Sequence, residues 1–318
     1  MSKKGPRVFF ATDVHGSEVC WRKFVNAGKH YEADVLILGG DMTGKAIVPF
    51  AEEGSGHWIF HLQDVRHEVE GEDELAKAKR SVRDHGYYPV VMSHEEMQRY
   101  SADTGALDAL FKEEMRKTVE EWVAFADERL EGSGIQCIVC PGNDDAYDID
   151  EILATSHTIQ VGEANAIDLP AGYQLVSSGW TNPTPWDTPR EEEEDKLKER
   201  LARVIEMATA PPDRLVLGLH APPYDTQLDV APKIDWERLE VQGQDTAHVG
   251  STAVREVITE VQPLLSLHGH IHESRGAIRM GRTLVVNPGS SYVEGTLDGC
   301  VIELDGKDKV KKYRLTSG

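Results

Sequence analysis

Five short polar clusters hold the residues of this chain best suited to chemistry. They are Asp13 and His15 in D-V-H, Asp41 in G-G-D, Asn143 in P-G-N-D-D, His220 in H-A-P-P, and His268, His270 and His272 in H-G-H-I-H. Taken singly, D-x-H, G-D and N-D-D are patterns that chance or an ordinary turn supplies. H-G-H-I-H says more, because three imidazoles packed so closely are hard to explain by packing alone. Residues two apart on an extended segment face the same way. Asp13 and His15 can therefore address one cation, and so can His270 and His272.

As a set, the clusters mix hard oxygen donors (Asp13, Asp41, Asn143) with imidazoles (His15, His220, His270, His272). Buried carboxylates and crowded histidines destabilise a fold unless a cation compensates them. Seven such groups exceed the roughly four to six that one ion takes, which implies two divalent metal ions. The mixed donor set suits manganese first, then iron, zinc or cobalt, rather than calcium.

The elements that must position these residues are legible in outline. Apolar runs RVFFAT (7–12), ADVLILGG (33–40), IQCIVC (135–140), RLVLGL (214–219) and PLLSL (263–267) each end at one of the clusters. Short Val-, Ile- and Leu-rich runs without alternation read as strands covered on both faces. Helical spacing appears between them at 17–33, with Ser17 as a cap, and at 196–208 and 251–263. Strand and helix in alternation predict an α/β layered fold, with ligands gathered at the carboxyl ends of the strands. Segments YQLVSSGW, TLVVNPG, GCVIELD and KVKKYRLT read as further strands, the last three forming a β-rich tail that adds to a second sheet.

Two stretches break the rhythm. The segment at about 45–134 reads as an insertion into one domain spanning 1–318, a hairpin plus helices packed at the rim of the site as a cap, a dimer surface or both. The proline-containing stretch 181–195 reads as a loop whose acidic run opens the next helix at its dipole-favoured end rather than binding anything.

The order D-x-H, G-D, G-N, H, G-H-x-H resembles the calcineurin-like metallophosphoesterase family. The resemblance runs from Asp13 to His272 and takes in N-P-G-S at 287–290. It implies two packed mixed β-sheets flanked by helices, an α/β/β/α sandwich. It implies one metal on Asp13, His15 and His272, the other on Asn143, His220 and His270, and Asp41 bridging them. His268 is then no ligand and takes a positioning or packing role. Two cations side by side lower the pKa of a shared water, and the resulting hydroxide would attack phosphorus in line. The activity implied is metal-dependent hydrolysis of a small organic phosphate ester.

One position departs from the family pattern. Where Gly-Asn-His followed by an acid is usual, this chain has Gly142, Asn143, Asp144 and Asp145. The usual proton donor is thus replaced by a carboxyl, with Asp41, Asn143 and Asp144 as the candidate catalytic residues. Beside two dications Asp144 is expected to be ionised and a poor general acid. An ionised Asp144 repels a doubly charged monoester more than a singly charged diester, so a phosphodiesterase leaning follows. His57, His61, His94, His157 and His248 are the other possible donors; Arg22 and Arg275 are possible phosphate contacts, and Trp180, Trp186 and Tyr224 possible stacking surfaces. A phosphomonoesterase or protein phosphatase of the same fold, and a scaffold with a degenerate site, are the competing readings.

Composition narrows the partners. A formal net charge of -21 over 318 residues repels phosphate backbones and anionic membranes, so neither nucleic acid nor a membrane is an expected partner. Bound metal would supply the positive potential that an anionic substrate needs. No apolar run approaches the roughly 18 residues of a membrane span. Cys137 and Cys140 form a C-x-x-C, but on a strand they point to opposite faces and cannot share an ion. They and Cys20 and Cys300 read as buried thiols of a cytoplasmic protein. A homo-oligomer is compatible with these features.

Overall fold

In the computed structural model, which describes residues 5–235 and 240–318, the apolar runs form two six-stranded mixed sheets. The first has the order Val310–Ser317, Asp298–Leu304, Arg7–Ala11, Val35–Leu38, Gln136–Val139, Ile159–Val161. The second has the order Gly276–Met280, Thr283–Asn287, Leu265–Leu267, Leu215–Leu219, Tyr173–Ser178, Ala166–Leu169. In each the middle strands are parallel and at least one edge is antiparallel.

Alternation of side chains along the strands builds three apolar layers. Val8, Phe10, Val35, Ile37 and Ile138 face inward and meet Leu175, Val216, Leu265, Leu267 and Val286 between the sheets. The residues between them, Phe9, Ala11, Leu36, Leu38, Cys137 and Val139, face outward under the helices Glu18–His30 and Thr104–Leu130. Trp21 and Trp122 stack there with ring centroids 5.0 Å apart, and the Trp21 indole donates to the Trp122 carbonyl. Helices Glu194–Glu206 and Thr252–Val261 cover the second sheet through Leu197, Leu201, Val254 and Ile258. Each large aliphatic or aromatic side chain so buried contributes on the order of 1.5–3 kcal/mol. The result is the expected α/β/β/α arrangement.

The predicted N-cap is in place, since Ser17 accepts from the Cys20 amide, and Ser251 likewise caps its helix by accepting from the Val254 amide. Glu194 sits in the first turn of its own helix, and its carboxylate also accepts from the Thr252 and Ala253 amides at the start of the other helix.

Three features depart from the sequence reading. The β-rich tail does not go to one sheet: Thr283–Asn287 joins the second, while Asp298–Leu304 and Val310–Ser317 join the first beside Arg7–Ala11. Strand period reports which side of a strand is buried, not which sheet receives it. The segment after Lys45 is more than a hairpin. Ile47–Gly54, His57–Leu62, Val65–Glu70 and Tyr88–Met92 form a four-stranded sheet, its last strand returning parallel to the first after the helix Glu72–Asp84. It has its own small core of Val48, Phe50, Trp58, Phe60, Leu75 and Val82. An antiparallel pair, Val230–Asp235 with Glu240–His248, lies where no strand was expected.

Candidate metal centre

All five polar clusters come together at the carboxyl ends of the central strands. Asp13, His15 and His272 offer ligand atoms lying within 4.8 Å of one another, and so do Asp41, His220 and His270. The Nε2 atoms of His15 and His272 are 3.0 Å apart. Asp41 lies between the two groups, its Oδ2 3.7 Å from His15 Nε2 and 3.3 Å from His220 Nε2. Asn143 lies on the loop that adjoins Asp41: its Nδ2 donates to Thr188 Oγ1 at 2.8 Å and to Asp144 Oδ1 at 3.2 Å, and its Oδ1 is buried without a partner.

The residues fit a pair of cations on several observations. Asn143 Oδ1, His220 Nε2 and His15 Nδ1 are buried polar atoms with no hydrogen-bond partner. Such orphaned atoms are rare in folded proteins and ask for a reason. His220 Nδ1 lies 2.9 Å from the Gly39 carbonyl and donates to it, which leaves Nε2 as the atom that faces Asp41. Asp13, His15, Asp41 and His270 all have positive φ, between 38° and 68°. Left-handed backbone is costly for side-chain-bearing residues, and its concentration at four candidate ligands is the pattern of a functional site. Gly142 lets the loops meet, since a Cβ there would stand 2.2 Å from Asp41 Oδ1.

The surrounding residues hold this geometry. Asp145, fully buried, accepts from the amides of Gly142, Met42 and Thr43 and from the Thr43 hydroxyl, tying the Asp41 loop to the Asn143 loop. Asp13 accepts from the His270 amide and the Thr12 hydroxyl. In N-P-G-S, the Asn287 amide donates to the Ile271 carbonyl and Ser290 Oγ to the Asp13 carbonyl, joining the last ligand loop to the first. His268 is buried between the Ala221 carbonyl and Ser266 Oγ, outside both ligand groups.

Electrostatics among the protein's own groups are extreme. Burial lowers His15 to about 3 and His270 to about 4, which keeps both imidazoles neutral with lone pairs available. At His220 burial also acts downward, but Asp41 and Asp13 outweigh it and push the group up to about 10. Burial opposes charge on Asp13 and Asp41 as well, yet the neighbouring imidazoles hold both below the usual carboxylate range. Two buried carboxylates thus keep one imidazole protonated where a cation would otherwise sit.

Asp144 lies at the mouth. Its amide donates to Asp41 Oδ1 at 3.0 Å, and its carboxylate is 3.7 Å from His15 Nδ1 and 3.1 Å from Lys45 Nζ. Burial and the Asp41 charge push it up to about 6 against the pull of Lys45. Lys45 and Thr188 were not singled out by the sequence. Lys45 follows Asp41 by four residues in the loop G-G-D-M-T-G-K, where a lone lysine carries no signal until the fold sets it beside Asp144. Thr188 lies in the proline-containing loop ahead of the acidic run, and its hydroxyl accepts from the Asn143 side chain.

The remaining sequence candidates lie elsewhere. His57, His94, His157 and His248 face Glu68, Glu53, Asp127 and Asp229, and His61 is on the small sheet. Arg22 pairs with Glu18 over the Phe125 ring, and Arg275 pairs with Asp298. Trp180 lies under the Arg200 guanidinium, 3.7 Å from ring centroid to Cζ, while Trp186 and Tyr224 are exposed. All four cysteines are free and buried.

No protein-family model matches the chain. Over 172 residues it is 29% identical to an uncharacterized protein, MJ1162, of Methanocaldococcus jannaschii, a match covering 53% of this chain and 71% of that one. One solved structure superposes over 98% of both chains with a TM-score of 0.57 at 16% identity. Another, TT1561 of Thermus thermophilus, superposes over 99% of this chain and 98% of its own with a TM-score of 0.52 at 13% identity. At these identities the structural likenesses establish a shared fold.

Proposed function

We propose that this chain, whose fold is that of the calcineurin-like metallophosphoesterases, is a phosphoric ester hydrolase working through two divalent metal ions. The observation that carries the reading is the meeting of six Asp and His side chains in two groups at strand ends, with the Asn143 oxygen buried and unpaired on the adjoining loop. Asp13, His15 and His272 would hold one ion and Asn143, His220 and His270 the other, with Asp41 shared. Such ions supply an activated water near neutral pH and positive charge for the phosphoryl oxygens. The donor set favours manganese, with iron, zinc and cobalt as alternatives.

The chain's own contribution is orientation. Gly39 fixes the His220 tautomer, Thr188 turns the Asn143 oxygen inward, and Asp145 locks two ligand loops together. Asp144 places negative charge beside an incoming ester, which supports a leaning to small phosphodiesters. Lys45 offsets that charge, so the preference is modest. The net charge of -21 supports a small-molecule substrate over nucleic acid. The small sheet of 47–92 is the part of 45–134 that we assign as a cap, because the helix Thr104–Leu130 belongs to the central layers. No helix of the described residues is long and apolar enough to cross a membrane. Free, buried cysteines support a cytoplasmic location.

The test is metal analysis of the purified protein followed by assays of aryl phosphodiesters, aryl monoesters and cyclic nucleotides with Mn, Co, Zn and Mg. Metal-dependent turnover, faster on diesters, is the expected result. Faster monoester turnover overturns the diester leaning. Neither metal nor turnover overturns the enzyme reading in favour of a scaffold.

A further inference from the structure

Lys45 is held at the site by a backbone with little freedom. The Met42 and Thr43 amides donate to Asp145, and the Gly44 amide donates to the Tyr88 hydroxyl at 2.7 Å. A Cβ on Gly44 would stand 2.4 Å from the Gly86 carbonyl oxygen, so this loop is pressed against its neighbour. From that anchored position the side chain, half exposed, brings its ammonium to 3.1 Å from Asp144 Oδ2. Asp144 is itself fixed through its amide to Asp41. With the lysine half exposed and screened by solvent, the pair contributes only on the order of 1 kcal/mol to folding. Stability therefore gives little reason for a lysine anchored beside two candidate metal groups in so acidic a protein.

We infer that the Lys45–Asp144 pair is the phosphate-receiving element of the site: Lys45 donates to a non-bridging phosphoryl oxygen of the substrate, and Asp144 positions that ammonium. The inference rests on the phosphoesterase reading and deepens it. An ammonium has three donors, and Asp144 is its ion-pair partner among the described residues. The others are free to meet an anion, for which a lysine serves as a compact point charge. The pair carries no net charge, so the acidic residue at 144 need not exclude phosphate from the mouth. Lys45 acts on the phosphoryl group, and solvent water supplies the proton for the departing oxygen.

The experiment compares wild type with Lys45→Gln, Lys45→Arg and Asp144→Asn as metal-loaded, full-length proteins. Measured are kcat and KM on an aryl phosphodiester, binding of inorganic phosphate by calorimetry, metal content and melting temperature. Lys45→Gln is expected to weaken phosphate binding and kcat/KM about ten- to hundredfold, the range for a lost charged hydrogen bond, with metal content and melting temperature unchanged. Lys45→Arg is expected to restore most of the phosphate binding, and Asp144→Asn to raise KM more than it lowers kcat. Wild-type phosphate binding and kcat/KM in Lys45→Gln overturn the inference. So does loss of metal in either Lys45→Gln or Asp144→Asn, which would place the pair in metal holding. Absence of ester turnover in wild type would instead overturn the phosphoesterase reading, and phosphate calorimetry would still decide the role of Lys45.

Discussion

The ligand loops and the small sheet of 47–92 are both departures from the sandwich, and they are built on opposite terms. The loops bury Asp13, His15, Asp41, Asn143 and His220 almost completely, leave ligand atoms unpaired and hold left-handed backbone. The small sheet does what an ordinary mini-domain does. It covers Phe50, Phe60 and Trp58 and turns charged residues such as Arg66 and Glu68 to solvent. One region stores polar groups that folding alone disfavours, while the other is explained by its own apolar core. A region whose internal contacts do not account for its stability is the place to look for a ligand.

The contrast can be broken most directly at Asp41. Asp41→Ala is expected to lower metal-dependent hydrolysis by at least about a thousandfold, since both candidate ion positions lose a carboxylate worth several kcal/mol of charge stabilisation. Elemental analysis should show reduced metal beside the lost turnover. Gly142→Ala comes next. Its Cβ would collide with Asp41 Oδ1 and with the Asp41 amide nitrogen at 2.3 Å, so metal affinity should fall by about 10–100-fold without unfolding the protein. Titration with a competing chelator reads this out, and unchanged affinity would show that the loop relaxes freely.

Thr188→Val sharpens the comparison from outside the ligand set. Removing the shorter of the two hydrogen bonds from Asn143 Nδ2 should weaken one ion about tenfold and leave the other untouched, giving two separable steps in metal titration. The small sheet should behave in the reverse manner. Phe50→Ala is expected to cost about 3–5 kcal/mol of local stability, visible as faster amide exchange over 47–92, with metal content unaltered. The smallest signal is a proton. His220, pushed up to about 10 by Asp41 and Asp13 against burial, is protonated at pH 7.5 in the bare protein and must be deprotonated to bind an ion. Metal binding at that pH should release about one proton, read from the dependence of calorimetric enthalpy on buffer ionisation, and affinity should rise with pH.

Much of the candidate site was legible because it violates the pattern around it. Asp13, Asp41, Asn143, His220 and His270 each follow an apolar strand, and a chain has few reasons to bury such groups there. The layered fold followed from the same strands, whose inward and outward faces are visible at Phe10 and Phe9. What stayed hidden depends on partners distant in sequence. Lys45 has meaning only beside Asp144, and Thr188 only beside Asn143. The antiparallel pair Val230–Asp235 and Glu240–His248 lacks a clean apolar period in the sequence. The assignment of Asp298–Leu304 to the first sheet is a matter of topology, on which local pattern is silent.

That last pairing sets a timetable for synthesis. Arg7 on the first strand meets Glu303 across the sheet, 296 positions later. His15 waits almost as long for His272, 257 positions on. At roughly 5–20 residues per second, translation separates the first strand from its antiparallel neighbour by about 15–60 s. Throughout that interval the nascent chain exposes an apolar strand edge and only part of the ligand set. Completion of the proposed metal centre therefore waits for His270 and His272, and a ribosome stalled before His272 would carry a fragment unable to complete it.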